Sequence, residues 1–227
     1  MQFEFDDAIK KRFNNLGVGM VKLTVASNIP KLPIDDLKDA VYNEVRSKYN
    51  LINLKNNLNF RLNRDFFWSI GIDPTKKRPA SEALIRRILR GKEIPHINIF
   101  VDLYNLISIK HEIAIAGFDY DKVSGKITMQ FATPNQKFLG IGMKTPKLLS
   151  GNEIILTDET NRIIAIYPYR DADYSKLSNS TKNLLLLTCG VPGLLTDKLI
   201  ESTVDLYNTF KKYLNAKGNY TIFQINE

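Results

Sequence analysis

The stretch 71–125 constrains the fold most, because chain-breaking residues divide it into short segments of different type. Gly71 and Pro74 end the segment before it, since glycine can adopt the left-handed cap conformation and proline cannot continue a helix. Ser81 is predicted to be the N-cap of a new helix, which Gly91 ends. In that helix the apolar side chains share one face and the arginines share the other. The two sets are Leu84, Ile85, Ile88 and Leu89, and Arg86, Arg87 and Arg90.

A further predicted helix, 97–109, is apolar nearly all round but carries Asp102 and Asn105 at helical spacing. A polar group in so apolar a segment needs hydrogen-bond partners or has a function, because burying it unpaired costs free energy. Both side chains are therefore predicted to be buried and hydrogen-bonded. The pattern leaves open the alternative of a solvated basic face above an ordinary core.

The charge balance favours a polyanionic partner. The chain has 227 residues and a formal net charge of +8, with 44% hydrophobic and 25% charged residues. This is the composition of a soluble globular protein that can bury one sizeable core. A positive surface of this kind suits nucleic acid. An A+T-rich genome, which inflates lysine at no functional cost, is the other explanation of the charge.

Cysteine usage and hydropathy exclude several classes of protein. Cys189 is the single cysteine, which rules out an internal disulfide and a cysteine-rich zinc site. Neither a metal nor a cofactor is predicted. The N-terminus lacks the apolar region of a signal peptide, and no apolar run approaches the ~18 residues of a membrane span. A cytoplasmic protein without membrane contact is expected.

The remaining patterns predict an α+β fold with a single core. Residues 1–59 are expected to form an N-terminal portion packed on a domain of residues 60–227. The predicted strands are Gly19–Ser27, Ile127–Phe131, a hairpin around 158–161, Leu184–Leu187 and Tyr220–Ile225. Three other helices are predicted. One begins at Ile34, one spans Arg61–Trp68, and one spans Asp197–Lys217, with Thr196 and Gly218 as its caps.

The familiar catalytic signatures are missing. The chain has no phosphate-binding loop and no Gly-x-Ser-x-Gly elbow. A cluster of basic residues is present instead, and it would neutralise phosphates without reading sequence. The predicted RNA-binding residues are Lys76, Lys77, Arg78, Arg86, Arg87 and Arg90.

An ordered series of short motifs carries a family resemblance. The series comprises Ile72-Asp73-Pro74, Arg78-Pro79-Ala80-Ser81-Glu82-Ala83-Leu84, Pro95-His96-Ile97-Asn98, Val101-Asp102-Leu103-Tyr104-Asn105 and Gly117-Phe118-Asp119-Tyr120-Asp121-Lys122. Over roughly residues 60–215 it resembles the B3/B4 domain of the phenylalanyl-tRNA synthetase beta chain, in a free-standing form. The resemblance implies the layered sheet-and-helix fold of that domain.

The resemblance also implies an activity, since in the synthetase this domain hydrolyses tyrosine wrongly attached to tRNA. An aminoacyl ester is already activated, so its hydrolysis needs mainly a positioned water and donors for the oxyanion. Asn105 falls where the family lines its pocket. The candidate catalytic residues are Asn105, Gly117 and Thr181. The candidate pocket residues are Asp102, Ser108, Ala116 and Phe118.

Two departures from the family pattern leave two hypotheses. The bacterial pocket histidine is absent where this chain reads Ala116-Gly117-Phe118-Asp119, and Leu186-Leu187-Thr188 lacks the carboxylate of the tyrosine-sensing position. The first hypothesis is a tRNA-binding, trans-editing hydrolase of mischarged aminoacyl-tRNA. The second is a non-catalytic RNA-binding or small-molecule-sensing module, which the missing histidine favours.

Overall fold

The computed structural model describes residues 2–26 and 33–225, and these form a mixed α+β architecture. The helices are α1 (Asp7–Arg12), α2 (Asp35–Lys48), α3 (Leu58–Ser69), α4 (Ala80–Leu89), α5 (Ile99–His111) and α6 (Thr196–Leu214). The strands are β1 (Phe3–Phe5), β2 (Gly17–Thr24), β3 (Ala114–Asp119), β4 (Ile127–Phe131), β5 (Lys137–Phe138), β6 (Lys147–Leu148), β7 (Ile154–Thr157), β8 (Ile163–Ile166), β9 (Arg170–Asp171), β10 (Asn183–Cys189) and β11 (Lys217–Gln224). The predicted α+β class is confirmed.

Two sheets form the framework. One has the strand order β1-β4-β7-β8-β9, and the other has the order β11-β2-β10-β3. Strand β10 is paired with a neighbour on each side, and its residues 184–187 are fully buried. The sequence of such a strand is a continuous run of apolar residues, because both of its faces are covered. The predicted buried strand Leu184–Leu187 is therefore confirmed.

The five-stranded sheet follows the alternation expected of a half-buried strand. In β4, Ile127 and Met129 are buried, whereas Thr128 and Gln130, which alternate with them, are partly exposed. Strands β7 and β8 pair antiparallel as the predicted hairpin. Asn161, with φ of 61°, lies in the connection between them. Asparagine tolerates this left-handed conformation better than most residues.

Helices cover the sheets and enclose the core. Helix α6 packs on β2 and β10, and α5 packs on β3, α4 and α6. The main apolar core lies between these layers, and a smaller cluster lies among α2, α3, α4 and α5. A main core with a satellite cluster is the usual arrangement of a domain of this size.

Three local predictions are wrong. The N-cap position of α4 is Pro79, and Ser81 is buried within the first turn of the helix. Helix α6 ends with Asn215 in the left-handed conformation, while Gly218 belongs to β11. Thr196 is the first residue of α6, after Leu195 at its N-cap position. Cap positions depend on where neighbouring elements direct the chain, which helical periodicity does not specify.

The N-terminal segment contributes to both sheets. Strand β1 pairs with β4, and β2 lies between β10 and β11. The proposed boundary at residue 59 falls inside α3, and the division into two parts stays a prediction. Ser27, the predicted end of the β2 strand, lies outside the described residues.

Candidate active site

The two sheets meet where their edge strands β3 and β9 come together. On its outer edge β3 pairs with no strand in the described chain beyond an isolated bridge between Phe118 and Lys176, so its remaining N–H groups need other acceptors. Asp171 on β9 provides one, since the backbone N–H of Gly117 donates to its Oδ2 atom at 3.1 Å. The carboxyl group of Asp171 is thereby held at the junction of the two sheets.

A cavity of about 80 Å³ lies at this junction. Most of its wall is small or apolar, and Asp171 contributes the carboxyl group. The wall includes Ala116, Ala165, Ile166, Tyr167, Cys189 and Asp171. The cavity is therefore a small apolar recess with one acidic group, at the meeting point of β3, β8, β9 and β10.

The protein environment changes the acidity of the groups in this recess. Burial raises the pKa of Asp171 to about 7, although the hydrogen bond from Gly117 opposes the shift. Burial, followed by the nearby Asp171 charge, raises the pKa of the Cys189 thiol. Cys189 is therefore protonated at neutral pH and packs as a small buried hydrophobe. Asp171, in contrast, is divided between its two protonation states near pH 7.

The rim of the cavity is cationic. Tyr169 and Arg170 line it, and so does Ala80 at the start of α4. The ammonium group of Lys77 and the guanidinium of Arg170 each lie 5.1 Å from the centre of the Tyr169 ring. Contacts at this distance are cation–π interactions. The basic segment before α4 is thus connected to the cavity through Tyr169.

Two of the predicted site residues lie at this junction. Ala116 lines the cavity, and Gly117 holds Asp171. The lack of a side chain at Gly117 has a packing reason, because a Cβ there would lie 2.9 Å from Tyr104 Cε1 and 2.8 Å from Leu177 Cδ1. The space beside Gly117 is therefore occupied by protein.

Three other predicted residues are engaged in local structure. The Thr181 hydroxyl donates to Asp119 Oδ2 at 3.0 Å, and the Ser108 hydroxyl donates to the Ile113 carbonyl oxygen at 2.6 Å. Phe118 is fully buried in the main core. These contacts stabilise the ends of α5 and β3.

Asp102 and Asn105 differ in their burial and in their hydrogen bonds. Asp102 is buried and hydrogen-bonded, as predicted. It accepts a hydrogen bond from the Ile97 N–H at 3.0 Å and pairs with His96. It lines a separate cavity of about 170 Å³ together with His96 and Leu106. Asn105 is half-buried, and its side chain makes no hydrogen bond to any residue in ranges 2–26 and 33–225. The prediction that Asn105 is hydrogen-bonded is therefore wrong, and its catalytic role stays a prediction.

A comparison with sequence models of known protein families shows which family the chain belongs to. A sequence model of the family described as B3/4 domain matches residues 62–213, which is more than half of the chain. The chain belongs to the B3/4 domain family. The family resemblance inferred from the ordered motifs is confirmed.

Two synthetase proteins are similar to this B3/4 domain protein, one in sequence and one in fold. The phenylalanine–tRNA ligase beta subunit of Fusobacterium nucleatum is 26% identical over 98 residues, which cover 43% of this chain and 12% of that subunit. A crystal structure of an N-terminal fragment of the Pyrococcus horikoshii phenylalanyl-tRNA synthetase beta subunit matches with a TM-score of 0.50 and 12% identity. That match covers 100% of this chain and 54% of the fragment. The likeness to the fragment supports the fold, and this chain corresponds to a small part of the Fusobacterium subunit.

Several of the predicted RNA-binding residues of the B3/4 domain already have protein partners. Arg86 Nε lies 2.6 Å from Oε1 of the buried Glu82, and Arg87 donates to the Glu93 carbonyl oxygen. Arg78 and Arg90 are exposed, and they have no ion-pair partner among the described residues. The cationic charge free to meet a ligand is therefore concentrated before α4 and at its end.

The sequence patterns give little sign of Asp171. It is one of several carboxylates at i, i+2 spacing, together with Asp173, and turn formation is the ordinary explanation of that spacing. No group of three or more potential metal ligands occurs in the part of the chain that the structure describes. In that same part, no helix is long and apolar enough to cross a membrane. What distinguishes Asp171 is its contact with Gly117, which lies 54 positions away in the sequence.

The raised pKa of Asp171 predicts a pH-dependent stability. Between about pH 4 and pH 7 the folded protein holds a proton that the unfolded chain has released, so the free energy of unfolding falls as pH rises through this range. The total loss is at most about 4 kcal/mol, from a pKa near 7 against an ordinary value near 3.8. The free energy of unfolding of Asp171→Asn should not fall in this way, and at pH 8 it should be higher than that of the wild type.

Urea unfolding at about pH 5 and pH 8 measures the effect. Asp173→Asn is the matched control, because the Asp173 side chain is 38% exposed and pairs with Lys176 at 2.8 Å. Equal changes in unfolding free energy for wild type and Asp171→Asn between the two pH values would contradict the prediction.

Proposed function

We propose that this protein hydrolyses the ester bond of mischarged aminoacyl-tRNA. The observation that carries the proposal is the Asp171 carboxyl group, fixed by the Gly117 N–H in a small cavity with a cationic rim. The group is partly ionised at neutral pH, which is the condition that suits a general base. The absent family histidine thus has a candidate substitute on a different strand.

The chemistry assigned to Asp171 is proton transfer. Its Oδ2 atom accepts from Gly117, and its Oδ1 atom makes no hydrogen bond within the described chain, which leaves Oδ1 free to accept from a water. The carboxylate takes a proton as the water oxygen attacks the ester carbonyl carbon. The bond from that carbon to the ribose oxygen then breaks, and the ribose oxygen receives the proton. The products are the free amino acid and the uncharged tRNA.

The cationic rim supports tRNA as the partner. Lys77 and Arg170 flank the Tyr169 ring at the cavity mouth, while Arg78 before α4 and Arg90 at its end are exposed. Phosphates of an acceptor arm would meet these charges when its 3′ end enters the cavity. The Fusobacterium relative is described as a tRNA ligase subunit, which makes tRNA the natural candidate among polyanions.

A deacylation screen tests the proposal. Purified protein is mixed with a panel of tRNAs that carry correct or incorrect amino acids, and loss of the labelled aminoacyl group is followed over time. At least one mischarged tRNA should be deacylated faster than in buffer. No turnover on any member of the panel would overturn the proposal.

A second function, tRNA binding without catalysis, has its own support. The Gly117 N–H is already donated to Asp171, and the family histidine is absent, so an oxyanion would need other donors. The same panel separates the two functions. A binding module would retain tRNA without hydrolysing it.

Two exposed cations before α4 and one at its end should set tRNA affinity and its salt dependence. Replacing Lys77, Arg78 and Arg90 with alanine removes charges that would release counterions from the RNA. The logarithmic slope of affinity against salt should fall by roughly two to three units, because each phosphate that is no longer neutralised lowers the slope by about one. The measurement is a filter-binding titration at several salt concentrations.

A charge-matched variant serves as the control. Lys11, Lys55 and Lys217 are exposed and have no ion-pair partner within the described ranges. Their replacement by alanine changes the net charge by the same amount on other parts of the surface. Equal slopes for the two triple variants would mean that the positive charge acts only through the total charge of the protein.

A further inference from the structure

We infer that a groove on the far side of β9 binds the phosphate group of a nucleotide, with the base against the apolar wall of the groove. The groove is formed by β5, the start of β8 and the segment that follows β9. Its lining includes Gln136, Lys137, Leu139, Arg162, Ile163 and Tyr174. This site is separate from the recess that holds Asp171, so the inference does not depend on the proposed hydrolysis.

Strand β9 separates the groove from the recess. The Ile141 N–H donates to the Asp171 carbonyl oxygen at 2.9 Å, and the Asp173 N–H donates to the Leu139 carbonyl oxygen at 3.0 Å. Ala172, between the two aspartates, lines the groove, whereas Asp171 lines the recess. Because successive residues of an extended segment point to opposite faces, the two sites lie on opposite sides of this strand.

Two cations of the groove are available to a ligand. Lys137 and Arg162 are exposed, and neither side chain forms an ion pair with any residue in ranges 2–26 and 33–225. The guanidinium carbon of Arg162 lies 3.7 Å from the centre of the Tyr174 ring, a cation–π contact that orients the guanidinium plane. An oriented guanidinium whose N–H donors are free matches the oxygen atoms of a phosphate group.

The acidic residues on the segments that flank the groove are engaged elsewhere. Both carboxylate oxygens of Asp158 accept hydrogen bonds from backbone N–H groups. Asp173 pairs with Lys176 at 2.8 Å, and the Glu159 carboxylate lies against Gly125 in a different cavity. Among the described residues that line the groove, none is acidic. The groove therefore presents positive charge without a carboxylate to neutralise it.

The hydroxyl group of Tyr174 is an independent indication of a ligand. Its oxygen is buried and has no hydrogen-bond partner in the described chain. Burial raises the pKa of Tyr174 to about 12, so the hydroxyl is a neutral donor at neutral pH. A buried hydroxyl without a partner costs free energy, and a ligand oxygen that accepts from it would recover that cost.

The rest of the lining suits the base of a nucleotide. The Gln136 amide oxygen accepts from the Thr133 N–H at 2.7 Å, which leaves the amide N–H groups free to donate. Leu139 is 40% exposed and Ile163 is partly exposed, so both side chains offer apolar contact to a flat ring. Ligand sites usually combine such an apolar wall with a few placed polar groups. A nucleotide, free or within an RNA strand, carries both the charge and the ring.

Calorimetric titration identifies the ligand. The protein is titrated with AMP, UMP, adenosine, inorganic phosphate and a short single-stranded RNA. A mononucleotide or the RNA should bind at least about tenfold more tightly than adenosine or inorganic phosphate, because only these ligands combine the charged group with the base. Binding of the RNA alone would support a strand as the ligand, and equal binding of a mononucleotide would support a free nucleotide. No binding of any nucleotide, or equally tight binding of inorganic phosphate, would overturn the inference.

Removal of the two free cations locates the site. Lys137→Ala combined with Arg162→Ala should weaken binding of the nucleotide about 10²-fold or more, because each change removes charge-assisted hydrogen bonds to phosphate. Lys55→Ala combined with Arg61→Ala is the matched control. Lys55 and Arg61 are exposed and have no ion-pair partner within the described ranges. Equal affinities of the two double variants would show that the nucleotide does not bind in the groove.

Tyr174→Phe tests the buried hydroxyl with two readouts. Nucleotide affinity should fall about tenfold, while stability to urea should stay equal or rise, because the lost hydroxyl has no partner in the free protein. Tyr213→Phe is the control, since Tyr213 is also partly buried beside a cation, Lys212 at 5.1 Å, but does not line the groove. A Tyr174→Phe protein that binds the nucleotide as tightly as wild type would contradict the inference.

Discussion

Asp171→Asn is expected to lower the rate of aminoacyl-tRNA deacylation by about 10²–10⁴-fold, the usual contribution of a general base. Asparagine keeps the size of the side chain, and its carbonyl oxygen can still accept from the Gly117 N–H. The variant should therefore fold and bind tRNA with nearly wild-type affinity. What it loses is the ability to take a proton from the attacking water.

The pH dependence of the wild-type rate provides a second readout of the same role. Since the pKa of Asp171 is about 7, the active carboxylate form increases as pH rises through neutrality, and kcat/KM should rise with it. The residual rate of Asp171→Asn should not follow this curve. Asp173→Asn, the same chemical change two residues away, should retain both the rate and the profile. An Asp171→Asn protein that hydrolyses as fast as wild type would remove Asp171 from the mechanism.

Asn105→Ala in the same assay separates the two candidate roles. The family resemblance makes Asn105 a candidate donor to the oxyanion, and loss of one such donor costs about 10²–10³ in rate. If Asn105 acts in this way, its variant should be slow at every pH but keep the wild-type profile. An Asn105→Ala protein with the full wild-type rate would show that Asn105 does not take part in the reaction.

Glu82→Ala should destabilise the fold by about 3–5 kcal/mol, the usual cost of removing one partner of a buried ion pair. Glu82 is fully buried in the first turn of α4. Its Oε2 atom accepts from Arg64 Nε at 2.9 Å, and its Oε1 atom accepts from Arg86 Nε at 2.6 Å. Burial alone would raise the pKa of Glu82, but the hydrogen bonds from Arg64 and Arg86 outweigh it and hold the pKa below its ordinary value.

Denaturant unfolding near pH 7 measures this effect, with Glu201→Ala as the control. Glu201 is exposed on α6 and has no ion-pair partner in the described chain, so its loss should change the unfolding free energy by less than about 0.5 kcal/mol. Arg64→Ala and the double variant complete a cycle that isolates the pair energy. A Glu82→Ala protein as stable as the Glu201→Ala protein would show that the buried pair contributes nothing.

Elements that depend on local pattern could be predicted from the amino-acid sequence. The buried strand Leu184–Leu187 was predictable because a strand covered on both faces is apolar throughout, and the β7–β8 hairpin because turn residues separate two apolar runs. The ordered motifs between residues 72 and 122 also sufficed to identify the family. Each of these inferences needs only residues that are near one another in the chain.

Trp68 marks the limit of such reasoning. An aromatic residue on an amphipathic segment is expected to pack inward, but its side chain is 55% exposed at the end of α3. Which face of a helix is covered depends on neighbouring elements that arrive from distant parts of the sequence. The same cause accounts for Arg86, which faces the buried Glu82 rather than solvent alone.

The candidate active site, in contrast, exists only through tertiary contacts. Asp171 and Gly117 meet because the open edges of two different sheets come together, and β3 needs an acceptor for the N–H that faces away from β10. The small volume of the recess follows from the same meeting of β3, β8, β9 and β10. A carboxyl group in a turn-rich segment looks ordinary in the sequence. Its unusual proton affinity arises from burial, which depends on contacts between residues far apart in the chain.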